Sequence, residues 1–162
     1  ERIANPLSAG AILLTQDDKL LLGIRGQGTD SQHGTTTVVA GYVDMNDVKE
    51  NKAHVFDSVQ REIEEELFIP KERVFDLICM GMINNLTAHQ INLPFFGRVS
   101  MTSSEFQSQL TNYEFDELRF IENTEKSIRH ILEDPNEELS DIGRPSLEMY
   151  ANLFNYLNLG EL

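Results

Sequence analysis

Apolar residues recur along the chain in short runs, each closed by turn formers. Ser8 to Thr15 and Lys19 to Arg25 each read as a strand, and Asp17-Asp18 between them makes the pair a hairpin. Gly26 to Gly34 is polar and glycine-rich, hence a loop, and the β-branched run Thr35 to Ala40 is strand-like. Gly41 to Asn51 reads as a polar loop, followed by a helix from about Asp57 to Leu67, with Ser58 or Asp57 as its cap and Pro70 as its stop. Phe75 to Asn84 and Gln90 to Ser100 read as strands around an Asn84-Asn85 turn. A short helix over Thr102 to Leu110, a strand over Leu118 to Glu122 and a helix over Thr124 to Leu132 capped by Thr124 come next. An acidic loop, Asp134 to Asp141, leads to a last helix that starts near Pro145 and runs to about Leu157. Strands and helices mixed with hairpins predict an α/β fold, a mixed sheet covered by helices, and 162 residues suit one domain with a sizeable core.

The helix over Asp57 to Leu67 has an unusual polar face. With Val59 at zero, a helix places Ile63 at about 40° and Leu67 at about 80°, the core stripe. Glu62 falls at about 300°, Glu65 at about 240° and Glu66 at about 340°, beside that stripe, while Glu64 at about 140° points elsewhere. Three like charges within one turn repel. Two readings follow from the helix alone: a solvated acidic face, or a site where Mg²⁺ or Mn²⁺ offsets the repulsion, since hard cations take carboxylate oxygens.

Charge narrows the partners. A net charge of −14 repels phosphate backbones and anionic lipid, so general nucleic-acid or membrane binding is not expected, and a phosphate-bearing substrate must meet cations in the site. No stretch reaches the length of a membrane span, and Ala9 to Leu14 is too short for a signal peptide. The chain opens on Glu1 rather than Met, which leaves an upstream segment open. The single cysteine, Cys79, excludes an internal disulfide, fits a cytoplasmic location, and sits in an apolar run that predicts a buried strand position.

The residues around the acidic helix resemble the Nudix box. That pattern is a Gly, five residues, a Glu, seven residues, then Arg-Glu-apolar-any-Glu-Glu-any-Gly-apolar. Arg61-Glu62-Ile63-Glu64-Glu65-Glu66-Leu67-Phe68-Ile69 matches the second half except at Phe68, and Ala40-Gly41-Tyr42-Val43-Asp44 resembles the family's Gly-Gly-x-apolar-Glu lead-in. Gly41 plus five residues reaches Asp47, which stands where the box has its first Glu. Three departures stand out: thirteen residues separate Asp47 from Arg61, six more than the pattern; Phe68 replaces the Gly after the helix; and Ala40 replaces the first of two glycines. Phe68 predicts a helix end without the usual left-handed cap.

The resemblance implies a Nudix α/β/α sandwich, Mg²⁺ (or Mn²⁺) dependence, and attack of water on a nucleoside diphosphate linked to another group. It assigns Glu62, Glu65 and Glu66 to the metal, with the Ala40 carbonyl as a further ligand and Glu65 as ligand or base. Arg61 orients the glutamates and the Gly41 loop, and Asp47 serves as an accessory acid. Glu114 is the first candidate for a general base outside the box and Glu117 the second, by likeness of their segment to a family loop; both also read as surface acids. For substrate, Arg25 suits a phosphate, Gly41 lies on the box lead-in, and Asn84, Asn85, Gln90 and Asn92 suit a base or sugar pocket or plain turns. Of Phe95 and Phe96, one is expected in the core and the other is available for stacking. His33 and His89 stand alone. Two other functions fit such a chain: a non-catalytic nucleotide-binding module, which loss of box acids would mark, and an isoprenoid-diphosphate isomerase, which needs a Cys and His/Glu cluster that the sequence does not offer. Family members are often dimers, so a homodimer stays open.

Overall fold

The opening hairpin forms as its alternation dictates, with β1 (Leu7–Leu14) antiparallel to β2 (Lys19–Arg25). Thr15 closes its turn, its hydroxyl accepting the Lys19 N–H at 3.0 Å. The structure, a computed structural model, describes residues 6–28, 32–107 and 114–158. The β-branched run expected as one strand is two: β3 (Thr36–Thr37) pairs with β2, and β4 (Val39–Tyr42) crosses over to β1. The break follows from a shared edge, because β1 gives Leu13 and Leu14 to β2 but Ser8 to Ala11 to β4.

Downstream, the strand expected over Phe75 to Asn84 is also divided, into β7 (Val74–Cys79) and β8 (Ile83–Asn85), with Gly81 at φ 152° in the gap. Both pair with β9 (Gln90–Val99), which runs parallel to β1. With β10 (Phe115–Glu122) on β2, the main path of the sheet runs β10-β2-β1-β9-β7. Cys79 is exposed rather than buried, because β7 is the last strand on that path and no further strand covers its outer edge.

The two faces of the sheet carry separate cores. Ala9, Ala11 and Leu13 of β1 pack with Val59, Ile63 and Leu67 of α1 (Val55–Leu67). Ile12 and Leu14 alternate to the other face, against Ile128 of α3 (Glu125–Glu133) and Leu147 and Tyr150 of α4 (Gly143–Asn158). Helices on both faces of a mixed sheet make the α/β/α sandwich. Phe95 and Phe96 are both core residues, one on each face: Phe95 meets Phe56 edge-on at 5.0 Å and Phe96 stacks on Tyr150 at 5.3 Å, so neither is available to a ligand. The short helix α2 (Ser103–Gln107) is held at its start by Asp17, which accepts the Ser103 N–H at 2.7 Å; the rest of the helix expected to Leu110 lies outside the described residues. Thr124 caps α3 as expected, accepting the Ser127 N–H at 3.1 Å.

Both ends of α1 depart from expectation. The helix starts at Val55 behind His54, which makes no side-chain cap, so Asp57 falls in the first turn and Ser58 lies inside, fully buried. At the other end Phe68 does adopt the left-handed cap, at φ 56° and ψ 31°, with its N–H on the Glu64 carbonyl. Its ring stays half-exposed and Ile69 behind it is fully buried, so packing downstream holds a conformation that costs a non-glycine residue about 1–3 kcal/mol.

Val48 to Ala53, expected as an insertion, form a hairpin of their own. After a short 3-10 turn, Met45–Asp47, strands β5 (Val48–Lys49) and β6 (Lys52–Ala53) pair through a turn in which Glu50 and Asn51 both have positive φ, 52° and 59°. The base is closed: the His54 N–H donates to the Asp47 carbonyl at 2.9 Å. Every residue from Val48 to Ala53 is exposed, and the link to α1 is a surface pair, Lys49 Nζ to Asp57 Oδ2 at 2.8 Å. Excising Val48 to Ala53 is therefore expected to leave melting within about 1 kcal/mol of the parent and kcat unchanged for any substrate the chain turns over. A deletion that folds but loses kcat at constant KM would place the hairpin in the chemistry instead.

Candidate active site

The site is built where α1 passes under β4. Core packing of Val59, Ile63 and Leu67 fixes the rotation of α1, and this turns Glu62 and Glu66 inward, each 8% exposed. Glu65 turns outward with 57% of its side chain accessible, as expected of the acid furthest round from the core stripe. The three glutamates thus divide into a buried pair and an exposed partner.

Gly41 makes the close approach possible. A Cβ at this position would lie 2.0 Å from Cδ of Glu62, so any side chain would displace that carboxylate. Next to it, the Ala40 backbone N–H donates to Glu66. Burial, with the charges of Glu62 and Glu114 added, holds the Glu66 carboxyl well above the usual carboxylate range. Burial also raises Glu62, against the pull of Arg61.

Arg61 ties this arrangement together. Its Nη2 reaches Asp47 Oδ2 at 3.0 Å and the Tyr42 carbonyl at 3.1 Å, while Nη1 meets Glu62 at 2.8 Å and Glu65 at 2.9 Å. One guanidinium so joins the β4 lead-in, the 3-10 turn and two successive turns of α1. Asp47 is 5% exposed, and its hydrogen bonds from Arg61 hold its carboxyl below the usual range. The Asp47 carboxylate also accepts the Asp44 N–H at 3.0 Å, closing the capping box of the 3-10 turn.

The remaining candidates are placed unevenly. Glu114 stands at the start of β10, and its charge acts on Glu66; Glu117 is exposed beyond the register irregularity between Phe115 and Glu117. Arg25 ends β2 and its charge also acts on Glu66. Asn84 is exposed outside the adjoining cavity, whereas its neighbour Asn85 lines it, as the alternation of β8 requires. Sequence reasoning passed over Ser8, Gln32 and Asp141, which line that cavity too; Ser8 and Asp141 come to it through strand pairing and loop docking, for which the sequence carries no local signal. His33 faces the Gly26 carbonyl at 3.0 Å rather than the carboxylates.

Among the described residues, no three His, Cys, Asp or Glu side chains converge as a complete metal cage. The donor set nonetheless fits a hard divalent cation: two buried, mutually repelling carboxylates beside the half-buried backbone of Ala40 and Gly41.

No family model matches the sequence, and no curated protein matches it. Solved structures do. A mutT/nudix family protein from Listeria innocua superposes with a TM-score of 0.66 at 19% identity, over 98% of this chain and 99% of that one. The NUDIX domain of Shewanella oneidensis NrtR, complexed with ADP ribose, gives 0.64 at 14% identity over 93% and 89%. A NUDIX hydrolase from Nitrosomonas europaea gives 0.62 at 16% identity over 96% and 75%. At these identities the likeness shows the fold: the described residues have the Nudix fold.

Proposed function

We propose that the protein hydrolyses the diphosphate bond of a nucleoside diphosphate linked to another group, with Mg²⁺ or Mn²⁺ as cofactor. The observation that carries this reading is the buried Glu62 and Glu66 pair under Gly41, inside a Nudix fold. Such a pair is costly without a cation and suits one with it. Glu62 and Glu66 would hold the metal, with the Ala40 carbonyl as a backbone ligand. A bound divalent ion polarises a phosphoryl oxygen and lowers the pKa of its water. Arg61 and Asp47 keep Glu62 and the Gly41 lead-in in place, so that little rearrangement is needed on binding. Arg25 would meet a phosphate oxygen, a role its place in the cavity lining and its charge near Glu66 support. Glu114 is the base of choice for the attacking water because its charge reaches Glu66; Glu65, engaged by Arg61 at the surface, is the reserve.

The test is hydrolysis with and without Mg²⁺ across ADP-ribose, nucleotide sugars, dinucleoside polyphosphates and nucleoside triphosphates, read by phosphate release and chromatography. Metal-dependent cleavage of at least one class is expected. Binding without cleavage throughout the panel would leave a nucleotide-binding module.

The metal itself is tested by melting. A ligand of the native state at about 100 times its Kd adds ~2.7 kcal/mol, which for a chain of this size is about 5–10 °C. Millimolar Mg²⁺ should raise Tm by that order over EDTA. Superimposable melts across a wide Mg²⁺ range count against the site.

No helix among the described residues is long and apolar enough to cross a membrane. The acidic surface and small polar cavity favour a soluble, nucleotide-sized substrate over a lipid.

A further inference from the structure

On the far side of β4 from the glutamates lies a cavity of about 300 Å³. Arg25, Ala40 and Gly41 belong to both places, since they line the cavity and also touch or act on Glu62 and Glu66. A substrate held by its diphosphate at the glutamates would extend one of its two arms here.

The lining says what that arm is. Asn92 is 2% exposed, and its carbonyl oxygen is taken by the Ser8 hydroxyl. Its NH₂ has no hydrogen-bond partner among the described residues, although it lies on the cavity wall. A buried side chain whose NH₂ opens onto the cavity without a protein partner points to an acceptor held there. Asp141, also in the lining, is fixed from two sides: its N–H donates to Gln32 Oε1 at 3.1 Å, and its Oδ2 accepts from Asn85 Nδ2 at 3.4 Å. The segment before it is sewn to β3 and β10, with the Ser140 N–H on the Thr36 carbonyl at 2.9 Å and Arg119 of β10 joining Glu137 at 2.6 Å. A carboxylate there repels phosphate and accepts hydroxyls.

Aromatic surface is scarce. Tyr42 is the one ring among the described lining residues, and it is 58% exposed. Flat bases are held largely by stacking, whereas rings rich in hydroxyls are held by amides and carboxylates. We propose that this cavity takes the sugar of a sugar-linked nucleoside diphosphate, with Asn92 donating to its oxygens and Asp141 accepting from its hydroxyls. The proposal rests on the hydrolase reading above and narrows its substrate.

Ribose 5-phosphate and inorganic phosphate test it without turnover, because neither holds a diphosphate bond. By calorimetry on the full chain with Mg²⁺, ribose 5-phosphate should bind at least about tenfold tighter. Asn92→Leu and, at the exposed rim where folding is not at stake, Asp141→Ala should each remove most of that preference. In kinetics, the ratio of kcat/KM for ADP-ribose over ATP should fall about 10- to 100-fold in either variant. Equal binding of the two probes by the parent, or a preference untouched in both variants, overturns the proposal. Absence of hydrolysis across the wider panel strikes the hydrolase reading alone and leaves the binding result legible.

Discussion

Glu66→Gln is expected to lower the Mg²⁺-dependent kcat by about 10²–10³-fold and to raise the melting temperature of the metal-free protein at neutral pH. The two effects share one origin. Glu66 is buried beside Glu62 and near Glu114, so its charge is a burden to the fold that the Ala40 N–H and Arg25 offset only in part and a bound cation would relieve. Glutamine keeps an oxygen for the Ala40 N–H and discards the charge. The pH dependence has a definite sign. A carboxyl whose folded pKa lies above its unfolded value favours folding while it is protonated, and that contribution is lost as pH rises through the folded value. In EDTA the parent should therefore gain stability on going from pH 8 toward pH 5, and the advantage of Glu66→Gln should shrink over the same interval. Asp47, held below the usual range, contributes in the opposite sense and only at lower pH. Full activity in Glu66→Gln would sink the site assignment, and an unchanged pH profile of melting would show that Glu66 is not buried as described.

Gly41→Ala is expected to cost about 1–3 kcal/mol of stability and to abolish most activity, although it adds one methyl group. The clash is with Cδ of Glu62 at 2.0 Å and with both its oxygens at 2.2 Å. Glu62 is tied to Arg61, so it cannot swing aside without breaking that pair. A double-mutant cycle checks the cause: in a Glu62→Ala background the same Gly41→Ala change should cost almost nothing in stability while activity stays absent. A Gly41→Ala protein that melts and turns over like the parent would contradict the close approach.

Periodicity made the helix and its rotation legible. Val59, Ile63 and Leu67 predicted a core stripe and it is there, and the same angles placed Glu62 and Glu66 nearest to it. The outward turn of Glu65 was present in those angles, yet charge pattern alone grouped it with the other two. Hairpins were legible where turn formers sit between alternating runs, as at Asp17-Asp18. What stayed hidden depends on pairing between distant segments. The split at Val38 follows from β1 sharing an edge between two strands, and Cys79 is exposed because β7 ends the path of the sheet. The cap at Phe68 shows tertiary packing overriding a local preference: the left-handed turn survives without its glycine. Ser8 and Asp141 became visible only when parallel pairing of β1 with β9, and docking of the 134–141 loop on β3, brought them to the same cavity.

The closed base of the β5–β6 hairpin bears on how such a site tolerates change. Asp47 and His54 meet through one backbone hydrogen bond, so whatever lies between them begins and ends at the same place. The distance that matters, from the Asp47 carboxylate to the Arg61 guanidinium, is held in space and is independent of the number of residues strung between them. Glu50 and Asn51 at the tip thus form an insertion port, where an epitope or a small domain with adjacent termini joins the chain without passing strain to the glutamates. A rule written as residue spacing describes the shortest loop that spans this gap, whereas the ion pair obeys only the gap itself.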